Sequence, residues 1–146
     1  MHRAQEQVAA FHATLGVTIG DAPAIRDGEL RASLIEEEEA AETIDAIRGG
    51  DMVAAIDGLC DLLYVAYGTA VTFGIDLEPF FDEIHASNMA KIGGGRRADG
   101  KVLKTANWQP PRIAELLELQ AVRFPDRTPV VHRERVDSAT TSQRSG

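Results

Sequence analysis

Two long segments of helix-forming residues, each closed by glycine, constrain the fold of this chain more than any other feature. Residues 28–48 are rich in Leu, Glu and Ala and precede Gly49-Gly50, which predicts a long helix that stops there. Asp51 then offers an N-cap for a second helix, which runs to about Phe73 and ends at Gly74. Because this second helix is apolar on most faces, we expect it at the centre of the fold.

Shorter segments on either side predict further helices. Residues 5–15 carry an amphipathic pattern at i, i+3, i+4 and i+7, formed by Val8, Phe11, His12 and Leu15. Asp76 and Pro79 predict the start of another helix, and residues 113–120 predict a short last one. The pairs Val102-Leu103 and Val130-Val131 are too short to predict a sheet. We therefore predict an all-α fold, a bundle of four helices with short connections.

The length of 146 residues fits one domain. We expect that domain over residues 1–121 and a flexible C-terminal tail over 122–146, which is polar and lacks apolar periodicity. No stretch approaches the ~20 uncharged apolar residues of a membrane span, and no apolar run follows the N-terminus. The single cysteine, Cys60, excludes an internal disulfide and a multi-cysteine zinc site, and we expect it in the core. These features predict a cytoplasmic protein that does not bind a membrane.

The charge is distributed unevenly around a net value of −8. Residues 21–83 hold sixteen acids and three bases, whereas residues 91–104 hold five bases and one acid. An acidic body argues against nucleic acid as a partner and suits a metal cation. The basic segment suits phosphate groups. Metal and phosphate together are the first functional indication.

Carboxylates concentrate on two consecutive predicted helices. With about 100° of rotation per residue, Glu38, Glu39 and Glu42 share one face of the first helix. Asp57 and Asp61 lie one turn apart on the next helix, among apolar residues, a position that favours burial over the surface. The bases in this region are too few to pair all five acids, so a divalent cation would compensate them, and oxygen ligands favour Mg²⁺ or Mn²⁺. The alternatives are a solvated glutamate face and aspartates that hydrogen-bond between helices.

These residues resemble the all-α nucleoside triphosphate pyrophosphohydrolases, which include MazG-like enzymes, dimeric dUTPases and phosphoribosyl-ATP pyrophosphohydrolase. The superfamily motif is EExxE followed by ExxD, and here Glu38-Glu39-x-x-Glu42 precedes Asp61. The segments 64–70, 85–91 and 99–104 resemble the MazG-like, phosphoribosyl-ATP pyrophosphohydrolase-like branch, and the resemblance spans residues 5–115. It implies a four-helix-bundle-type MazG-like fold that is oligomeric. The implied reaction cleaves a nucleoside triphosphate between the α and β phosphates, with Mg²⁺, to a monophosphate and pyrophosphate.

One position departs from this motif. Where ExxD has its glutamate, this chain has Gly58, and Asp57 one residue earlier is a shorter substitute on the same face. The resemblance implies that Glu38, Glu39, Glu42 and Asp61 ligate the metal, with Asp57 as a further candidate. It also implies that Glu38 or Glu39 lies near the attacking water, the alternative for either being metal ligation alone.

Substrate-binding candidates follow the metal motif in the chain. The basic segment offers Lys91, Lys101 and Lys104 for phosphate, each with simple solvation as the alternative. Asn88 is a candidate for polar recognition or a helix C-cap, and His85 for phosphate, base or a structural role. Tyr64 and Trp108 are candidates for base stacking, with packing as the alternative.

The resemblance further implies a homodimer or a dimer of dimers, because a small bundle leaves a shallow site. We expect the apolar third helix of the bundle, together with Phe80 and Phe81, to supply the interface, and the basic segment to reach the partner's metal site. Three other functions stay open. They are a phosphoribosyl-ATP hydrolase, a di-iron bundle, which the absence of Glu-x-x-His disfavours, and a non-catalytic helical module.

Overall fold

The computed structural model describes residues 1–121, apart from the side chains of Glu37, Glu38 and Ala121. The tail predicted over 122–146 lies outside the described residues. The helical segments in chain order are α1 (Arg3–Leu15), α2 (Gly28–Ser33), a π-helical segment (Leu34–Ala40), α3 (Ala41–Gly49), α4 (Met52–Phe73), α5 (Glu78–Met89) and α6 (Ile113–Ala121). Within residues 1–121 there is no strand, and one isolated β-bridge joins Arg96 to Val102. The prediction of an all-α fold is confirmed.

Local capping chemistry sets the helix ends where the sequence predicts them. The Asp51 carboxylate accepts hydrogen bonds from the backbone N–H of Val53 at 3.1 Å and of Ala54 at 3.0 Å. Gly50 and Gly74 end α3 and α4 in the left-handed region, with φ of 74° and 72°. The start of α5 is shifted slightly, since Asp76 accepts from the N–H of Glu78 and the helix begins there, two residues after the predicted cap.

The predicted helix over 28–48 is helical throughout, but it is not a continuous α-helix. Its middle, Leu34–Ala40, is π-helical. Hydrogen bonds from i to i+5 put more residues in each turn, so the rotation per residue falls below 100°. The rotation of about 100° per residue that was assumed for Glu38, Glu39 and Glu42 therefore does not hold over Leu34–Ala40, and their common face stays a prediction. Such segments are rare and frequently occur at functional sites.

Helix α4 is the element on which the others pack. Its contacts are most extensive with α3, α1 and the π-helical segment. The buried apolar residues lie mostly along α1 and α4, and they are Val8, Ala55, Ala70, Val71 and Phe80. Two buried glutamines fix the turn between α4 and α5. Gln5 donates to the carbonyl of Ile75 and accepts from the N–H of Leu77, while Gln120 makes both bonds with the backbone of Asp76.

The first half of α4 is largely exposed, whereas its composition predicts a central position in the fold. Val53 is 80% exposed, Ile56 55% and Leu63 57%, so only a narrow face is covered by α3. Cys60, expected in the core, is exposed as well. On length and composition α4 is the one described helix that could cross a membrane, a weak criterion that central helices of soluble bundles also meet.

Candidate active site

Helices α3 and α4 come closest at Thr43 and Gly58, between the two groups of predicted metal ligands. Thr43 is buried, and its hydroxyl donates to the backbone carbonyl of Glu39 at 2.6 Å. A Cβ at position 58 would lie 2.5 Å from Thr43 Oγ1 and 3.1 Å from Thr43 Cα. Gly58 is thus required for this helix contact, which explains why the glutamate of the ExxD motif is absent. Glu42 precedes Thr43 on α3, and Asp57 precedes Gly58 on α4. Both acids therefore lie next to the contact between the two helices.

Three of the predicted metal ligands are exposed in the protomer. Glu39 is half-buried, whereas Glu42, Asp57 and Asp61 are exposed, and the side chain of Glu38 is outside the described part of the chain. The prediction that Asp57 and Asp61 are buried among apolar residues is therefore wrong for a single protomer. No described arginine or lysine forms a salt bridge with Glu42, Asp57 or Asp61.

Their donor chemistry fits Mg²⁺, since every donor is a carboxylate oxygen. Their positions do not close a site on their own. Among the side chains that the structure describes, no three from His, Cys, Asp and Glu are close enough to hold a metal ion. A complete metal site would form only if Glu38 also took part, if these side chains rotated toward one another, or if a second protomer supplied further ligands.

Tyr64 lies beside the acidic region and packs on α1. Its ring makes an edge-to-face contact with Phe11, with ring centres 5.6 Å apart, and 41% of the residue is exposed. This contact agrees with the packing alternative for Tyr64. The rest of the side chain is exposed to solvent.

The structure brings three predicted phosphate-binding residues together at the C-terminal end of α5. Lys91 Nζ donates to Asn88 Oδ1 at 2.6 Å. Lys91 Nζ lies 5.9 Å and Lys104 Nζ 3.6 Å from the ring centre of Trp108. We call Asn88, Lys91, Lys104 and Trp108 the lysine–tryptophan cluster. The sequence predicts base stacking or packing for Trp108, and its position four residues after Lys104 was the signal for this contact.

Lys101 and His85 are not part of this cluster. Lys101 is exposed on a turn that the Arg96–Val102 bridge closes, and its N–H donates to Asp99 Oδ1 at 3.2 Å. Asp99 also pairs with Arg97, which lowers the pKa of the Asp99 carboxyl. His85 is exposed on α5. The structure thus leaves both residues accessible but gives neither a place in a preformed site.

An ion pair that sequence reasoning missed fixes the chain beside the cluster. Arg112 donates through its backbone N–H and its guanidinium to the Glu83 carboxylate, at 3.1 to 3.2 Å. The hydrogen bonds from Arg112 lower the pKa of Glu83. Both residues line an open groove of about 300 Å³ between α5 and residues 107–112.

The acidic and basic groups lie on different packing units of the protomer. In the described residues α5 packs extensively only against α6, whereas the carboxylates lie on helices that pack around α4. A substrate that uses both groups must therefore be held across a distance within one protomer or between two.

Comparison with known proteins assigns most of the described helices to one family. The family model described as phosphoribosyl-ATP pyrophosphohydrolase matches residues 8–88, which include α1, the π-helical segment, α3, α4 and most of α5. A search of curated proteins gave no significant match. Since the match covers more than half of the 146 residues, the chain belongs to the phosphoribosyl-ATP pyrophosphohydrolase family, within the MazG-like all-α pyrophosphohydrolase superfamily.

Proposed function

We propose that this protein is a metal-dependent nucleoside triphosphate pyrophosphohydrolase. It cleaves a ribo- or deoxynucleoside triphosphate between the α and β phosphates and releases the monophosphate and pyrophosphate. The observation that carries the proposal is the contact of α3 with α4 at Thr43 and Gly58. It packs α3, which carries Glu42 of the EExxE segment, against α4, which carries Asp57 and Asp61, in a family named for pyrophosphate release.

In this proposal Glu38, Glu39, Glu42 and Asp61 hold Mg²⁺, and Mn²⁺ can replace it. Asp57 assists them through its shorter side chain, in place of the glutamate that Gly58 excludes. When bound, the metal supplies charge neutralisation of the triphosphate. Glu39, the half-buried member, accepts a proton from the attacking water, while Glu38 is the alternative base. A bond forms from the water oxygen to phosphorus as the bridging P–O bond breaks, and the electron pair leaves with the departing phosphate oxygen.

The lysine–tryptophan cluster supplies the opposite charge. Lys91 and Lys104 have ammonium groups within reach of one indole ring, and neither forms a salt bridge with a described acid. In the proposal they bind the β and γ phosphates and stabilise the pyrophosphate leaving group, with Asn88 and the exposed Lys101 as further donors. His85 and Tyr64 are available to the base or sugar.

The partner in this proposal is a second copy of the chain, in a homodimer or a dimer of dimers. The first half of α4 exposes several apolar side chains, and Phe81 on α5 is 71% exposed, so both offer apolar surface for association. Phe80, predicted to contribute, is buried in the protomer and does not. Because α5 does not pack extensively on the carboxylate helices, a dimer would let the lysine–tryptophan cluster of one protomer approach the carboxylates of its partner.

The interface is tested by charge insertion. Val53→Glu should shift the protein to a monomer in sedimentation velocity while its helical circular dichroism is retained. Ile25→Glu is the matched control, because both residues are 80% exposed and Ile25 lies outside α4. Equal sedimentation of the wild type and Val53→Glu would contradict the α4 interface.

The reaction is tested with a panel of ribo- and deoxynucleoside triphosphates, with Mg²⁺, Mn²⁺ or EDTA, and with products separated by chromatography. We expect metal-dependent monophosphate and pyrophosphate, lost in Glu39→Gln and retained in Glu36→Gln, an exposed neighbour in the same glutamate run. Release of phosphate and diphosphate would place cleavage at the wrong bond and refute the mechanism.

The name of the matching family favours a second substrate, phosphoribosyl-ATP. It contains the same α–β anhydride linkage, so the same carboxylates and lysines would serve. Including phosphoribosyl-ATP in the panel separates the two functions by their kcat/KM ratio. Turnover of neither class by a folded protein would favour a non-catalytic helical module.

A further inference from the structure

We infer that Trp108 is a positioning residue, whose indole ring holds the ammonium groups of Lys104 and Lys91 in place for the phosphates of the substrate. The inference rests on the proposed function, and it adds a residue beyond the family match, which ends at residue 88. It replaces the base-stacking hypothesis for this side chain.

The indole ring is fixed to the end of α5 by hydrogen bonds. Trp108 Nε1 donates to the carbonyl of Ser87 at 2.9 Å, and the Ser87 hydroxyl donates to the carbonyl of Gln109 at 3.2 Å. Thr105 Oγ1 donates to the carbonyl of Ala90 at 3.2 Å. Carbonyls at a helix C-terminus lack partners within the helix, and the side chains of Trp108 and Thr105 donate to two of them. Together with the Ser87 bond, they anchor residues 105–109 to the end of α5.

Gly94 permits the approach of the chain segment that carries Lys104. A Cβ at position 94 would lie 2.2 Å from the carbonyl oxygen of Leu103. Only a residue without a side chain therefore allows residues 103–104 to pass this close to the turn after α5. The tertiary structure, and not the flexibility of a lysine alone, delivers Lys104 to the ring.

Lys104 occupies a face of the indole. Its Nζ lies over the ring at 3.6 Å from the centre, which is a favourable cation–π geometry, so this face is closed to a stacked base. Lys91 Nζ lies 5.9 Å from the same ring centre, and it also donates a hydrogen bond to Asn88 Oδ1. The two ammonium groups are therefore at most 9.5 Å apart, since their distances to one ring centre are 3.6 and 5.9 Å.

Two ammonium groups that have no carboxylate partner among the described residues repel each other across this distance, which is at most about one Debye length at moderate salt. An anion with several oxygens, such as a polyphosphate, relieves that repulsion and can hydrogen-bond to both. The ring lowers the cost of binding because the lysine side chains are ordered before the ligand arrives.

The test combines steady-state kinetics with direct binding. Trp108→Leu should raise KM for the best nucleotide about tenfold and change kcat less than threefold. Trp108→Phe, which retains an aromatic face but not the N–H, should lie between wild type and Trp108→Leu. Arg96→Ala, which removes a charge from the same segment at a residue without a ring contact, is the charge control.

A double-mutant cycle separates positioning from general structure. If Trp108 acts through Lys104, then Trp108→Leu adds little to the KM increase of Lys104→Ala. Multiplicative KM increases, or a loss confined to kcat, would overturn the inference.

The binding experiment needs no turnover, because Trp108 is the only tryptophan of the chain. Inorganic pyrophosphate should change its fluorescence saturably, and Lys104→Ala should abolish that change. If no nucleotide is hydrolysed, the proposed function fails but this titration still decides the inference. Unchanged emission in the wild-type protein up to millimolar pyrophosphate would refute it.

Discussion

The contact of Gly58 with Thr43 makes the sign of one substitution a test of the fold. In an exposed helix interior, Gly→Ala stabilises by about 1 kcal/mol because alanine has the higher helix propensity. At position 58 the added Cβ would approach Thr43 Oγ1 to 2.5 Å and Thr43 Cα to 3.1 Å, so α3 and α4 must separate. Overpacking of this kind costs about 1–3 kcal/mol. We therefore expect Gly58→Ala to lower the free energy of unfolding by about 1 kcal/mol, the balance of a propensity gain and a larger packing cost.

The assay is thermal unfolding followed by circular dichroism at one fixed protein concentration, because association would shift the midpoint. A loss of about 1 kcal/mol corresponds to roughly 4 °C in Tm for a chain of this size. Gly49→Ala is the matched control. Gly49 is also helical, but a Cβ there meets nothing within 4 Å, so its Tm should be unchanged or higher.

A second variant identifies the atom responsible. Thr43→Ala removes the hydroxyl that makes the shortest contact, so Gly58→Ala should cost less in that background, with a coupling energy of about 0.5 kcal/mol or more. A Tm increase for Gly58→Ala like that of an exposed helical glycine would refute the close packing of α3 on α4. It would also reopen position 58 to the glutamate of the ExxD motif.

Two further predictions concern buried polar groups. Gln5→Leu should lower the free energy of unfolding by about 2–4 kcal/mol in urea, because it leaves the Ile75 carbonyl and the Leu77 N–H unpaired; a loss below about 1 kcal/mol would contradict this. Burial, aided by the charge of Arg31, lowers the pKa of His12 below its ordinary value of about 6.5. Because the unfolded chain then takes up the proton more readily, stability should fall as the pH drops below about 6.5. The urea midpoint should therefore decrease between about pH 7.5 and 5.5, less so in His12→Gln, and equal pH dependence of the two proteins would argue against His12 as the cause.

Much of the fold follows from local chemistry that the sequence displays. The ends of α3 and α4 depend on Asp51, Gly50 and Gly74, whose capping bonds lie within a few residues of each cap. The short helix near residues 113–120 follows from its own periodicity in the same way. The π-helical segment was not predicted, because an α-helical wheel assumes a constant rotation per residue.

The sequence names candidate site residues by type but not by arrangement. The structure brings Asn88, Lys91 and Lys104 together, and their role in phosphate binding stays a prediction. Asp57 and Asp61, expected to be buried, are exposed in the protomer, because composition gives the polarity of a helix but not which of its faces is covered. The metal assignment itself stays a prediction.

The sequence by itself determined the capped junction between α3 and α4, the end of α4, and which segments carry acidic or basic side chains, since capping, propensity and charge are properties of neighbouring residues. The tertiary structure alone decided three other features. It placed Gly58 against Thr43, left the first half of α4 uncovered, and brought Lys91 and Lys104 to the ring of Trp108. The Gly58–Thr43 and Lys91–Trp108 contacts join residues 15 and 17 positions apart, and local pattern carries no information about which surfaces meet. Lys104 and Trp108 are four positions apart, but their contact depends on the approach of the chain that Gly94 permits, and the exposure of α4 depends on a surface with no described neighbour.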